Sequence, residues 1–428
     1  VLKVELYTSE IPDLFVRFKD VIDERYWLKR VGLIREDIRG NSFLADYLTN
    51  ENVIAFALAR CSNLVDRYGR IPMEEAENRD LYPAMSLAAQ MLSIMDHSSS
   101  KEAGKLVQRV RGAFKNPDDM RAIQLEIMAA THFVLRGHSI SWPEMDGLGR
   151  FDLLVKDIGT NGLEVECKSI SEDKGRKIHR REALEFHHLV KPKLQALSRN
   201  LQAGVSVVLT LPGRLPALHK QKQALVKHVV DSVLASQGAT LDDGSDIRIS
   251  EFDMETLGVI ETERGQEISR EAIELVTATN NRESMILGNR KGALIFVLQS
   301  RRDDTMLKYV FDTVSESAKS QVSKNRPALF LVGFHAIEAE SLLSIAMQDN
   351  EPNQTPTALR VAVSDFLGKQ NLDHVIGVGF LSGGNLKPEL NGVVKSGGSA
   401  YIFPKKGSRF WHQDFSGLFS ERELGMAN

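Results

Sequence analysis

Glu164, Glu166 and Lys168 interrupt an otherwise apolar run, Leu163-Glu164-Val165-Glu166-Cys167-Lys168. Side chains alternate along a strand, so these three share one face while Leu163, Val165 and Cys167 share the other. Two carboxylates and an ammonium in that setting are costly unless paired or bound to a cation. A second short run, Phe151-Asp152-Leu153-Leu154-Val155, lies just upstream. If the two runs form a hairpin centred on Gly159, Asp152 stands directly opposite Glu166. Opposed residues have β-carbons about 4.5–5.5 Å apart, where like charges destabilise the pair. A divalent cation between them turns that repulsion into binding, and hard ions such as Mg²⁺ take oxygen ligands. Asn161-Gly162 is itself a tight-turn signal and would oppose Asp157 to Glu166 instead. The Gly159 centre is preferred because it aligns the two apolar runs.

The elements that must hold these residues follow from periodicity. Upstream, Leu14, Phe15, Phe18, Val21 and Ile22 recur at helical spacing, as do Ile54, Leu58, Cys61 and Val65, and then Leu81, Met85, Ala88, Leu92 and Met95. Residues 1–116 therefore read as a helical N-terminal region. Asn116-Pro117-Asp118-Asp119 is a helix start, with an N-cap type, Pro at N1 and acids at the positive end of the dipole. That helix is expected to run to Arg136 and stop at Gly137. Short strands follow at 139–142, 151–155 and 163–170, then a helix at 179–200 and a buried strand at 204–211. Residues 214–428 read as a further α/β region, with helices near 217–235 and 305–322 and strands at 247–252, 293–298, 328–334 and 375–381.

The order helix, three strands, helix, strand over 117–213, with Asp152 and then Glu166-Cys167-Lys168, resembles the PD-(D/E)xK, or restriction-endonuclease-like, nuclease superfamily. The resemblance spans 117–211 and leaves both flanks unexplained; Phe151, not Pro, precedes the Asp. A second Glu-x-Lys, Glu172-Asp173-Lys174, falls in a predicted loop. The resemblance implies one or two Mg²⁺ (or Mn²⁺) ions held by Asp152 and Glu166, joined by the backbone carbonyl of Cys167. It implies that Lys168 positions or helps deprotonate the attacking water and offsets charge on the phosphorane. Glu126, on the preceding helix, matches the family's helix acid, which orients water at the metal. Such water ionises far more readily than bulk water. Glu164 is an extra acid on the same face, either a further ligand or a salt-bridge partner.

Charge points the same way. From Lys168 to His228 there are 13 cations against four acids, a net +9 in a chain whose total is −3. Lys174, Arg176, Lys177, Arg180 and Arg181 follow the acid strand closely and are expected to border the site and bind phosphates. His179, Glu182, His187 and His188 lack the spacing of a His-Glu-x-x-His metal helix. Gly377-Val378-Gly379 with Gly383-Gly384 opens no helix and so makes a poor dinucleotide loop. No phosphate-binding loop of the Gly-Lys-Ser/Thr type occurs.

The 428 residues predict two or three domains, and 42% hydrophobic with 26% charged residues is ordinary globular composition. No apolar run approaches a bilayer span, so no membrane partner is expected. The N-terminal residues show no secretion signal. Two cysteines, Cys61 and Cys167, make neither a disulfide framework nor a zinc cage, which fits a reducing, cytoplasmic setting. The expected activity is metal-dependent hydrolysis of nucleic-acid phosphodiesters, DNA ahead of RNA, with restriction or anti-phage defence as the setting by family analogy. Any ATP-driven movement would come from a partner protein, and a homo-oligomer is equally open. The rival is a catalytically inactive nucleic-acid-binding or scaffold subunit, which binds without metal and does not cleave.

Overall fold

The computed structural model describes residues 6–171, 173–199, 201–262, 265–279, 283–289, 291–334, 339–382, 387–388, 393–395 and 399–418. Glu172 of the second Glu-x-Lys, and Gly383 and Gly384, lie outside them. The protein is a mixed α/β chain with two mixed sheets, and none of its described helices is long and apolar enough to cross a membrane. It divides into two compact units that interleave along the chain. One comprises residues 1–35, 49–174 and 306–428; the other comprises 36–48 and 175–305.

In the first unit, helices at Ile11–Ile22, Val53–Tyr68, Tyr82–Asp96 and Ser100–Ala113 bury the stripes their periodicity announces. Phe15, Phe18, Ile22, Ile54, Leu58, Cys61, Leu81, Met85, Ala88 and Leu92 are all buried. Their core is continuous with Leu153, Val155, Leu163, Val165, Leu329 and Leu331 of the sheet. The helices of residues up to 35 and of 49–116 therefore belong to the same unit as the acid-bearing sheet, and their apolar faces close one side of it. Helix Pro117–Leu135 begins as expected, the Asn116 side chain accepting from the Asp118 amide, and ends before Gly137 at φ +84°. It lies so close to the sheet that a Cβ on Gly333 would meet Leu125 Cδ1 at 2.9 Å.

The sheet runs in the order Ser399–Pro404, Val375–Ser382, Ala328–Phe334, Leu163–Ile170, Leu153–Val155, Ile140–Ser141. The strands 163–170, 328–334 and 375–382 are mutually parallel, and the others join antiparallel. Parallel strands covered on both faces read as unbroken apolar runs, and every residue of 328–334 and 375–382 is buried. On the face opposite the N-terminal helices, helix Met306–Ser320 packs Val310 and Val314 with Phe330 and Val332.

This arrangement changes the expected core. The strand Gly204–Leu211 forms exactly as read, but it pairs with Gly292–Ser300 and Asp246–Phe252 in the second unit's sheet. Helix Arg180–Ser198 packs there too, with Ala183, Phe186, Val190 and Leu194 in that core. The contiguous core of 117–213 is thus divided after Lys174, and the fourth strand and second helix come from 328–334 and 306–320. Residues 175–305 are inserted in the crossover between two parallel strands. Either apolar run would serve a buried strand, and only long-range pairing distinguishes them.

Candidate active site

The hairpin register is the one centred on Gly159. Leu153 pairs with Val165, Leu154 with Glu164 and Val155 with Leu163. Asp152 lies in a bend one residue before the strand Leu153–Val155, where extending the same register would set it against Glu166. Gly159 (φ +62°) and Gly162 (φ +78°) both take left-handed backbone in the connecting loop. The Asn161-Gly162 signal therefore shapes the loop's exit and does not set its centre.

Asp152 Oδ2 accepts a hydrogen bond from the Cys167 amide at 2.7 Å, which fixes the carboxylate across the hairpin. Glu166 is 1% exposed; its Oε1 lies 2.7 Å from Lys168 Nζ, while its Oε2 is buried with no hydrogen-bond partner. Lys168 Nζ also donates to Gln321 Oε1 at 2.7 Å. Burial, reinforced by the charges of Glu126 and Glu166, pushes Asp152 up to about 8 against the pull of the Cys167 amide and Lys168. Burial likewise pushes Glu166 up to about 7, with Lys168 opposing and Glu126 and Glu144 adding to the rise. Both acids thus sit where an anion lacks adequate counter-charge.

Glu126 shares this electrostatic centre but is not a solvated helix acid. It is 5% exposed, and Arg109 clasps it with both terminal guanidinium nitrogens, at 2.7 and 2.5 Å. Burial raises its pKa, and Arg109 holds it back. The exposed Glu144, on the short helix Pro143–Asp146, stands 3.9 Å from the same guanidinium. Glu164 takes the salt-bridge branch of its two expected roles. Its Oε2 accepts from the Ser323 amide at 2.8 Å, and its Oε1, buried without a hydrogen-bond partner, lies 3.8 Å from Arg326. The Cys167 side chain packs toward the apolar core, and burial with the nearby acids drives its thiol pKa well up, leaving it inert.

The basic run is not one free band. Arg176 is 11% exposed and bound to Glu283 at 3.0 Å and Asp304 at 3.8 Å. The Lys177 amide donates to Asp304 and its Nζ to Thr305 Oγ1. Arg181 pairs with Glu185 at 3.1 Å, and Arg180 opens helix Arg180–Ser198. Only Lys174, with its Nζ 5.7 Å from the Tyr309 ring centroid, belongs to the acid-bearing unit. Arg176 is therefore a largely covered structural cation, because two acids from distant sequence claim it.

Two other motifs resolve into packing. His187 is buried against Phe43 and Phe296, and burial pushes it down to about 4. Gly377 and Gly379 lie inside the buried strand 375–382, where a Cβ on Gly379 would meet Leu331 Cδ2 at 2.7 Å.

Among the described residues no three His, Cys, Asp or Glu side chains stand arranged to hold a metal. The donor chemistry at the hairpin nevertheless fits a hard divalent cation. Glu166 Oε2 is buried without a hydrogen-bond partner, Lys168 being bound to the other oxygen, and the Asp152 carboxylate stands beside the same strand. Arg109, Glu144 and Gln321 escaped the sequence reading: they reach the centre from a neighbouring helix, a four-residue helix and a segment far downstream, with no local motif. No protein-family model, curated protein or solved structure matches the chain.

Proposed function

We propose that the protein is a metal-dependent nuclease that hydrolyses nucleic-acid phosphodiester bonds, with DNA as the first substrate class. The observation that carries the reading is the buried Glu166 and the partly buried Asp152, brought to one hairpin, with Lys168 on one Glu166 oxygen and the other oxygen buried without a partner. The helix, three-strand, helix, strand order around it supports the restriction-endonuclease-like reading once 175–305 is set aside. Asp152 and Glu166 would hold one or two Mg²⁺ (or Mn²⁺) ions. Bound there, the cation supplies an ionised water and charge stabilisation of the phosphorane. The chain's own residues do the rest. Lys168 places its ammonium where it can orient the attacking water and offset developing negative charge. Glu126, held by Arg109, would accept a hydrogen bond from the attacking water. Arg180 and Arg181 in the inserted unit offer sequence-independent phosphate contacts. Restriction or anti-phage defence is the setting this activity best fits by fold analogy.

One observation favours a second reading, a non-cleaving nucleic-acid-binding or scaffold subunit. Arg109 already neutralises Glu126, and Lys168 already neutralises one oxygen of Glu166. Incubating the protein with plasmid, single-stranded DNA and RNA, each with Mg²⁺, Mn²⁺ or chelator, separates the two. The nuclease reading expects cleavage that chelator stops, and binding without cleavage under every metal favours the scaffold.

A further inference from the structure

Lys168 is held from two sides. Its ammonium has three N–H donors; one meets Glu166 Oε1 and a second meets Gln321 Oε1, each at 2.7 Å. Gln321 directly follows helix Met306–Ser320, and its amide still bonds to Ser317 O at 2.8 Å, so its backbone continues the helix's last turn. The segment after it is fastened to the acid strand. The Ser323 amide donates to Glu164 Oε2, Arg326 faces Glu164 Oε1, and the Glu164 amide donates to Pro327 O at 2.9 Å. Glu164, buried and two residues before Glu166, thus anchors the turn that carries Gln321.

Resting on the nuclease reading, we propose that Gln321 is a positioning residue that holds the Lys168 ammonium in place independently of Glu166. A lysine stem carries about 2 kcal/mol of rotamer entropy, so an ammonium tied only to Glu166 would follow that carboxylate. Glu166 is also the acid that must turn oxygens toward a cation. A neutral amide acceptor keeps Lys168 in place without competing for the metal and without adding a charge to a crowded acidic centre. Gln321 touches neither substrate nor metal in this account and acts through Lys168.

The test compares wild type, Gln321→Leu, Gln321→Glu and Lys168→Ala. It measures steady-state cleavage, the Mg²⁺ concentration for half-maximal rate, and DNA affinity by anisotropy in Ca²⁺. Loss of such a supporting contact lowers kcat by roughly 10–100-fold in Gln321→Leu, with KM, Mg²⁺ half-saturation and DNA affinity unchanged. Acetylation of Lys168 by acetic anhydride, followed by peptide mass spectrometry, rises in Gln321→Leu because the amine is released. Gln321→Glu keeps an acceptor for the ammonium, so Lys168 acetylation stays at the wild-type level even though the added charge lowers the rate. Wild-type kcat in Gln321→Leu beside an inactive Lys168→Ala would overturn the proposal and leave the nuclease reading standing. A kcat loss matched by loss of Mg²⁺ or DNA affinity would make Gln321 merely structural and also overturn it. Full activity in Lys168→Ala would overturn both.

Discussion

The strands Leu163–Ile170 and Gly204–Leu211 are each eight residues long and each interior to a mixed sheet, yet they solve burial differently. In the second, the polar groups are hydroxyls with neutral partners. Ser206 Oγ donates to the Ser250 carbonyl, and Thr210 Oγ1 accepts from Gln299. Nothing in that strand asks for a ligand. In the first, Glu164 finds an amide and an arginine 3.8 Å away, Lys168 finds two acceptors, and Glu164 Oε1 and Glu166 Oε2 are each buried without a hydrogen-bond partner. Burying an unpaired carboxylate is among the most costly things a fold can do. The difference teaches that the first sheet is complete as a scaffold and incomplete as an electrostatic system.

Substitutions in the two strands should therefore fail in opposite ways. Asp152→Ala, Glu166→Ala and Lys168→Ala should each reduce cleavage to background while the protein stays folded. Leu209→Ala, at a fully buried position of the other strand, should lower stability by about 2–5 kcal/mol and leave kcat intact well below the melting temperature. Plasmid cleavage beside thermal melts reads both. Wild-type cleavage by two of the three hairpin variants would end the contrast.

Arg109 and Glu126 sharpen it. Removing one partner of a buried ion pair leaves a charge stranded, which costs about 3–5 kcal/mol. Arg109→Ala strands the more deeply buried group, so it should destabilise more than Glu126→Gln, which keeps a neutral partner for the guanidinium. Glu126→Gln should instead lower cleavage by roughly 10–100-fold, because the group orienting the water has lost its charge. Urea melts and initial rates measure the pair. Equal destabilisation with full activity would return Glu126 to a purely structural role.

The acids also make a pH signature in chelated protein. Asp152 holds its proton up to about 8 in the folded state against a usual 3.8, and Glu166 to about 7 against 4.5. A carboxyl raised in the fold favours folding fully below its unfolded value. That contribution is lost as pH climbs through the folded one. The metal-free protein should therefore lose melting temperature between pH 5 and pH 9, all pH values in roughly that window. Asp152→Asn should flatten the loss, and saturating Mg²⁺ should oppose it. Identical pH profiles for wild type and Asp152→Asn would remove the electrostatic half of the comparison.

Much of this was legible in the residues. Asn116-Pro117 announces the helix start, and the runs at 163–170, 204–211 and 328–334 emerge as strands with the bounds their apolar residues mark. The two apolar runs flanking Gly159 fix the register that opposes Asp152 to Glu166. What sequence could not carry is which strand joins which. The runs Gly204–Leu211 and Ala328–Phe334 are alike in composition, and only the folded chain shows that the second pairs with the acid strand. Arg109 and Gln321 were hidden for the same reason: each is an ordinary helix or post-helix residue until tertiary packing brings it to a carboxylate or an ammonium.

The smallest expected effect lies in the inserted unit. Arg181 is 49% exposed at its side chain, whereas Arg176 is locked to Glu283 and Asp304. Each phosphate contact adds about 0.9 to the negative log–log salt slope on duplex DNA. Replacing Arg180 and Arg181 by Gln should flatten that slope by up to roughly 2 without changing cleavage at saturating DNA. Arg176→Gln should lower melting temperature and leave the slope alone. Anisotropy across a salt series in Ca²⁺ distinguishes the two, and an unchanged slope in the Arg180/Arg181 variant would place the run away from nucleic acid.

The central claim, that Asp152 and Glu166 together hold a divalent cation, is tested most directly by titrating chelator-stripped protein with Mn²⁺ and following free Mn²⁺ by electron paramagnetic resonance. The account predicts saturable binding in wild type that survives Glu164→Gln and is lost in both Asp152→Asn and Glu166→Gln. Absence of saturable binding in wild type, or binding indifferent to Asp152 and Glu166, would contradict it.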